Sequence, residues 1–344
     1  MAIIDKPSDY FNTKLYTGNG TTDTSISGVG FQPDMSWFKG RTNTENHFLF
    51  DSIRGATVRL IPNGTSSDLT AAQSMKSFDS DGFTLGSDAD VNQNTINFVA
   101  WNWKAGTSFT NDASATGIGT IDSAGSVNTT SGFSIVSYTG TNANGTVGHG
   151  LGVAPKVIIL KNRDTTNSWC VGHGSLGFDK FLNLNETAAA GSDATYRFQG
   201  TSPSSTVFSV GAAGETNGSS QEIIAYCFAE KQGYSKFGSY TGNGSTDGTF
   251  FYTGFKPAFT MIKSTGDDQW SIFDSKRNPF NEVDNNIRAN SSAAEADQVG
   301  KEVDYLSNGV KLRTSSGEWN TSGTQYIYMA FAENPFVTST GVPA

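Results

Sequence analysis

Three histidines, two cysteines and a few spaced carboxylates are the side chains of this 344-residue chain whose types could do chemistry. His47, His149 and His173 stand far apart, none at metal-ligand spacing from a cysteine or a second histidine, so a zinc site is not expected. Cys170 and Cys227 sit among apolar residues and read as core thiols, too few for a disulfide scaffold. Asp79-Ser80-Asp81-Gly82 and Asp88-Ala89-Asp90-Val91-Asn92 gather oxygens of the kind Ca²⁺ takes, but neither follows an EF-hand, and the first reads more simply as the turn before a strand. Glycoside hydrolysis needs two carboxylates across a cleft. The repeated acids are Asp51 with Asp274 and Glu230 with Glu333; the middle of the chain lacks the former and the first part lacks the latter. Asp51 and Arg54 read as a turn-stabilising pair. The expectation is a chain with no catalytic residue and no cofactor.

Binding chemistry has better candidates. Sugar sites on β-sheets use an exposed aromatic platform flanked by polar groups, and Trp169, Trp270 and Trp319 lie in polar surroundings. Trp169 and Trp270 hold near-equivalent strand positions and read as core, whereas Trp319, in Ser316-Gly317-Glu318-Trp319-Asn320, has no counterpart and is the exposed candidate. Lys39, Lys161 and Lys263, with Arg41 and Arg163 beside two of them, could form a basic row gripping an acidic glycan or a neighbouring subunit. They equally suit the guarding of strand ends, where lysine deters edge-to-edge pairing.

The elements that must position these groups recur three times. Tyr16-Thr17-Gly18, Tyr138-Thr139-Gly140 and Tyr240-Thr241-Gly242 each begin an ungapped frame, with glycine at 30, 152 and 254, proline at 33, 155 and 257, and lysine at 39, 161 and 263. The residues between proline and lysine are β-prone: a strand opened by proline, where the missing N–H breaks no interior ladder bond, and closed by a lysine that lifts its charge into water. The glycine permits the bend before it. Phe50-Asp51-Ser52-Ile53-Arg54 returns as Phe273-Asp274-Ser275-Lys276-Arg277, while the middle copy reads Val171-Gly172-His173-Gly174-Ser175. Asn63 with Thr65, Asn185 with Thr187 and Asn290 with Ser292 suit Asx or ST turns. Each copy closes on an apolar strand: Phe98 to Trp103, Ile223 to Phe228, Ile327 to Phe331.

Composition agrees with short strands and tight turns: 39 glycines exceed the usual ~7%, and charged residues are only 16% against ~25%. The expected fold is all-β, three tandem β-sandwich, jelly-roll-like modules of about 100 residues in a row. Their bounds fall at 10–106, 117–231 and 233–336, with an arm at 1–9, a flexible linker at 107–116 and a tail at 337–344. One helical stretch is expected from Ser291 to Val299. A net charge of −9 offers no basic field for phosphates or an anionic leaflet, so nucleic acid and membrane insertion are not expected. No apolar run reaches ~20 residues, and Met1-Ala2-Ile3-Ile4-Asp5-Lys6-Pro7 lacks the charged start and apolar core of a signal peptide, which points to a soluble product made in the cytoplasm.

Tyr-Thr-Gly-Asn-Gly at 16–20 and 240–244, Gly148-His149-Gly150-Leu151-Gly152-Val153-Ala154-Pro155-Lys156 and Phe50-Asp51-Ser52-Ile53-Arg54-Gly55-Ala56 give the chain a family likeness. It resembles, from about Asp9 to Phe336, a tandem-repeat group of virion proteins (tail-fibre, tail-associated or capsid-decorating) of marine tailed bacteriophages. The resemblance implies a virion location and a non-enzymatic part, a tail-fibre or appendage component in host attachment, with head decoration or connector as the alternative and a glycan-cleaving enzyme a distant third. Its implied partners are other virion proteins, a host cell-surface glycan or protein, and further copies of itself, a trimer first. It transfers no catalytic residue.

Overall fold

The computed structural model describes residues 3–193, 195–297 and 300–343. The chain is all-β, with only single-turn helices outside its strands among the described residues. Three large antiparallel sheets share one strand order. In each, the opening strand (Phe11–Thr17, Phe133–Thr139, Ser235–Thr241) pairs with the closing strand (Asn97–Trp103, Glu222–Phe228, Gln325–Pro335). The closing strand pairs in turn with the proline-led strand (Met35–Gly40, Val157–Asn162, Phe255–Ser264), which is followed by a fourth (Phe48–Asp51, Cys170–His173, Trp270–Asp274). Smaller sheets, built on the pairs Thr24–Ser27 with Gly82–Leu85, Gly145–Gly148 with Val207–Val210, and Phe250–Tyr252 with Gly309–Leu312, complete three sandwich-like layers.

The repeated residues have backbone reasons. Gly30, Gly152 and Gly254 all hold positive φ, between 70° and 90°, where a side chain is strained. Gly18, Gly140 and Gly242 have no room for a Cβ, which would stand 2.1–2.3 Å from a carbonyl oxygen of residue 93, 218 or 321. The tyrosine before each of these sends its hydroxyl to a short helical turn: Tyr16 donates to the Val91 carbonyl at 2.6 Å, Tyr138 to Thr216 at 2.5 Å and Tyr240 to Trp319 at 2.7 Å. Pro33 and Pro155 precede their strands; Pro257 instead sits inside Phe255–Ser264 at a register shift, the other place where a sheet tolerates proline.

Alternation along the closing strands decides how the layers assemble. Phe98 and Ala100, Ile223, Ala225 and Cys227, and Tyr326, Tyr328 and Ala330 face the core beneath each small sheet. The intervening Val99, Trp101 and Trp103, Ile224, Tyr226 and Phe228, and Ile327, Met329 and Phe331 meet in a single common core. Strands apolar on both faces must be covered on both. The three large sheets therefore turn their inner faces on one another, and the expectation of sandwiches strung in a row is corrected to sheets gathered about a shared centre. A residual space of about 20 Å³ at that centre is lined by largely apolar side chains such as Met35, Trp103 and Met329.

Three segments depart from expectation. Residues 107–116 are not a flexible linker: Thr107–Asn111 pairs with Ser123–Asn128 and widens the second sheet, and Ala113–Thr116 forms a capped turn. Residues 3–9 pack onto the chain itself, with Ile4 buried and its N–H on the Gln232 carbonyl at 3.1 Å. The helix expected over 291–299 is not formed across 291–297: the Glu295 N–H bonds the Arg41 carbonyl and Ala296–Asp297 is a strand. Residues 298–299 lie outside the described residues.

Candidate functional site

The candidate basic row is not on the surface. Lys39, Lys161 and Lys263 are each 0% exposed. Their ammonium groups turn back onto carbonyls at the strand end: Lys39 to Gly40 at 2.7 Å, Lys161 to Asn162 at 2.8 Å and Thr65 at 3.1 Å, Lys263 to Ser264 at 2.7 Å and Gly266 at 2.6 Å. A loop closes over each and supplies the acceptors that water would have given. Burial pulls all three down to about 8 from the ordinary 10.5. Because the folded value is the lower one, their charge works against folding below pH 8, and the penalty lifts as pH rises from 8 toward 10.5. Unfolding free energies at pH 7.5 and 9 are expected to show that rise, and Lys161→Met is expected to shrink it by about one proton's share; an unchanged slope in the variant rules the assignment out.

Arg41 and Arg163 bridge sheets. Arg41 grips Glu295 with bonds of 2.7 and 3.0 Å, and Arg163 bonds Asp68 at 2.9 Å. The third equivalent position is Thr265, and facing it, in place of the acid, is Ala190; the backbone bond from 68, 190 or 295 to the carbonyl of 163, 265 or 41 is kept in all three. A second repeated bond runs beside it. Trp169 Nε1 donates to the Ile61 carbonyl and Trp270 Nε1 to Asn183, both at 2.9 Å, and the equivalent His47 bonds the Arg288 carbonyl at 3.1 Å. Asn63, Asn185 and Asn290 accept the backbone N–H of His47, Trp169 and Trp270, so they pin this loop and are not the local turns expected of them.

The third bond of each joint involves the repeated acids. Asp51 and Asp274 are fully buried, each paired with its arginine (Arg54 at 2.6 Å, Arg277 at 2.5 Å) and each accepting from a neighbouring sheet. Tyr226 donates to Asp51 at 2.6 Å and Trp101 Nε1 to Asp274 at 3.0 Å. The turn-stabilising role expected of Asp51 is present, since its other oxygen takes the N–H groups of Ile53 and Arg54. In the second sheet this place belongs to His173, with Leu176 in the arginine position and Met329 in the donor position. His173 Nδ1 accepts from the Ser175 N–H at 3.1 Å and Nε2 bonds the Tyr328 carbonyl at 3.2 Å. Acid, arginine and donor are thus exchanged together, and first sheet meets second, second meets third, third meets first in a closed ring.

Trp319 is also buried, at 0% exposure, with Nε1 on Ser271 Oγ at 2.8 Å and its ring edge-on to Phe273. Its counterparts are Val91 and Thr216 on the equivalent turns, and the small Ser271 stands where the first copy has Phe48, so volume moved from strand to turn. Trp319→Ala is expected to cost about 3–5 kcal/mol in thermal or chemical unfolding. The residue after it was missed by sequence reasoning. Asn92, Asn217 and Asn320 are buried, accept the N–H of Asn19, Thr141 and Asn243, and donate to Gly86, Gly211 and Thr314 carbonyls. The remaining candidate chemistry is likewise engaged. Asp81 accepts from Gly28 and Gly30, both cysteine thiols are buried and unpaired, and His149 is buried with Nε2 on the Ser204 carbonyl.

One surface open to ligands lies where the second copy passes into the third. A groove of about 400 Å³ runs where the second closing strand passes into the third opening strand, lined by Glu230, Lys231, Lys236, Tyr252 and Phe336 among others. Tyr252 is 57% exposed and Phe250, on the same face of the small sheet, 42%. Glu230 is occupied by Lys236 at 3.2 Å and by the Phe237 N–H at 2.9 Å. Lys231 lays its stem against Gly132 and makes no ion pair among the described residues. No curated protein and no solved structure matches the chain. Residues 6–335 match a family described as a domain of unknown function (DUF7483), and the chain belongs to that family.

Proposed function

We propose that this member of the DUF7483 family is a non-enzymatic virion component of a tailed phage, a tail-fibre or appendage part made in the host cytoplasm that contributes to attachment at the host surface. The observation that carries the reading is the employment of the reactive side chains: buried lysines, histidines, aspartates and arginines are spent on fastening loops and joining three sheets, leaving aromatic and polar loop surface as what the molecule offers. Glu230 and Glu333, the remaining repeated acids, are each held by a lysine and serve poorly as an acid pair. The likeness of the repeat to marine phage virion proteins supports the location.

Phe280, 81% exposed beside Pro279, favours a second reading in which this surface is buried against another virion protein in a head-decoration or connector role. Electron microscopy of purified particles labelled with an antibody to this chain separates the readings. Label at fibre tips supports attachment, label on the head or at a junction supports decoration, and unlabelled particles overturn both. The reading carries a homo-oligomer, a trimer first, and light scattering that returns 36.5 kDa for the free protein defeats that part.

A further inference from the structure

The threefold repetition supplies an internal control for which surface residues the fold requires. Tyr252 occupies the place held by Ser27 in the first copy and Gly148 in the second, as their pairing with Gly309, Gly82 and Val207 fixes. Phe250 likewise replaces Ser25 and Thr146. Two copies form the same small sheet without an aromatic on its outer face, so stability does not explain Phe250 and Tyr252. Lys231 follows the same logic: three residues beyond Phe228, it stands where the other copies carry Gly106 and Asn334.

Two of these singular residues, Tyr252 and Lys231, line one groove. Its volume of about 400 Å³ is in the range of ligand sites, about 300–1,000 Å³. Tyr252 contributes an exposed ring and Phe336, 37% exposed, a second apolar wall. The charge balance is decided by pairing. Glu230 and Lys236 neutralise each other, which leaves the Lys231 ammonium as the uncompensated charge of the groove among the described residues, its stem over Gly132 and its burial pulling its pKa down. A desolvated lysine without a counter-ion attracts an anionic group from outside. An aromatic ring open to water suits a flat body with an apolar face and hydroxylated edges.

We propose that the groove between Tyr252, Phe336 and Lys231 binds an acidic saccharide, a pyranose ring lying on Tyr252 and its carboxylate meeting the Lys231 ammonium. The proposal rests on the attachment reading and names its ligand class. The full chain is tested on an array of uronate- and sialate-bearing oligosaccharides, each beside its neutral methyl ester, with calorimetry on the best pair. The acid is expected to bind about tenfold more tightly than its ester. Lys231→Gln should erase that preference and leave the ester unaffected, while Tyr252→Ser, the residue of the first copy, should abolish binding of both with unchanged melting temperature. An array on which no acid is held above its ester, or a preference that survives Lys231→Gln, overturns the site. A blank array with label still at the fibre tips rejects this groove and spares the attachment reading; sugar binding by a chain absent from particles does the reverse.

Discussion

Replacing Asp51 by leucine is expected to destabilise the chain by about 3–5 kcal/mol, because the Arg54 guanidinium would remain fully buried without its counter-charge and Tyr226 would lose its acceptor. Burial of this kind leaves no route for water to compensate. Removing the whole joint is a different matter. The second sheet makes its joint with His173, Leu176 and Met329 in the corresponding places, and both ring nitrogens of His173 are hydrogen-bonded without an ion pair. Asp51→His combined with Arg54→Leu and Tyr226→Met therefore imports a set already proven in this fold, and most of the lost stability is expected to return. Guanidinium denaturation of the parent, the single variant and the triple variant measures this directly. A triple variant no more stable than Asp51→Leu means the three residues are not coupled, and the joints are then independent of one another's chemistry.

How much of this could be read from the residues follows from range. The frame of tyrosine, glycine, proline and lysine was legible because each member answers a local backbone demand: a positive φ at Gly30, absent space for a Cβ at Gly18, a strand start at Pro33. The all-β class followed from the same signals. The fate of the lysines was not legible, since a lysine ending a strand looks alike whether its ammonium meets water or, as at Lys161, a carbonyl of a loop 96 residues away. Trp319 misled for a related reason. Its polar neighbours belong to a turn whose other side is core, and its counterparts Val91 and Thr216 share neither type nor fixed distance from the tyrosine. The partners across the joints, Asp51 with Tyr226 and Asp274 with Trp101, lie more than 170 residues apart and carry no signature until the sheets are placed. Yet one clue was available. The middle copy broke the Phe-Asp-Ser pattern, and a buried site that changes one member must change its partners.

Acid is expected to open the ring at the two joints that histidine makes. His47 accepts from Trp37 Nε1 through Nδ1 at 2.9 Å, and because an indole N–H only donates, the proton of this imidazole resides on Nε2, facing the Arg288 carbonyl. Protonation would place a charge on a fully buried ring with Lys39 nearby; burial first, then that lysine, pulls His47 down to about 3, and burial pulls His173 down to about 4. The ordinary value of 6.5 applies when the chain unfolds. The folded values being lower, the unfolded chain takes up protons first, so the stability from these residues is complete above pH 6.5 and is lost as pH falls from there toward 4 and 3. At ~1.36 kcal/mol per pKa unit, the two together remove about 5 kcal/mol by pH 4.5, comparable to the whole stability of many domains. The other copies supply the control. Where the first has Trp37 with His47, the second has Ile159 with Trp169 and the third Met261 with Trp270, an indole making the same interface bond with no titrating group. Trp37→Met with His47→Trp is therefore expected to fold at pH 7 and to lose about 2–3 kcal/mol less than the parent between pH 7 and pH 4.5. Equal losses in parent and double variant would place the acid sensitivity elsewhere, in carboxylates such as Glu295 that Arg41 and Arg277 hold below their usual range.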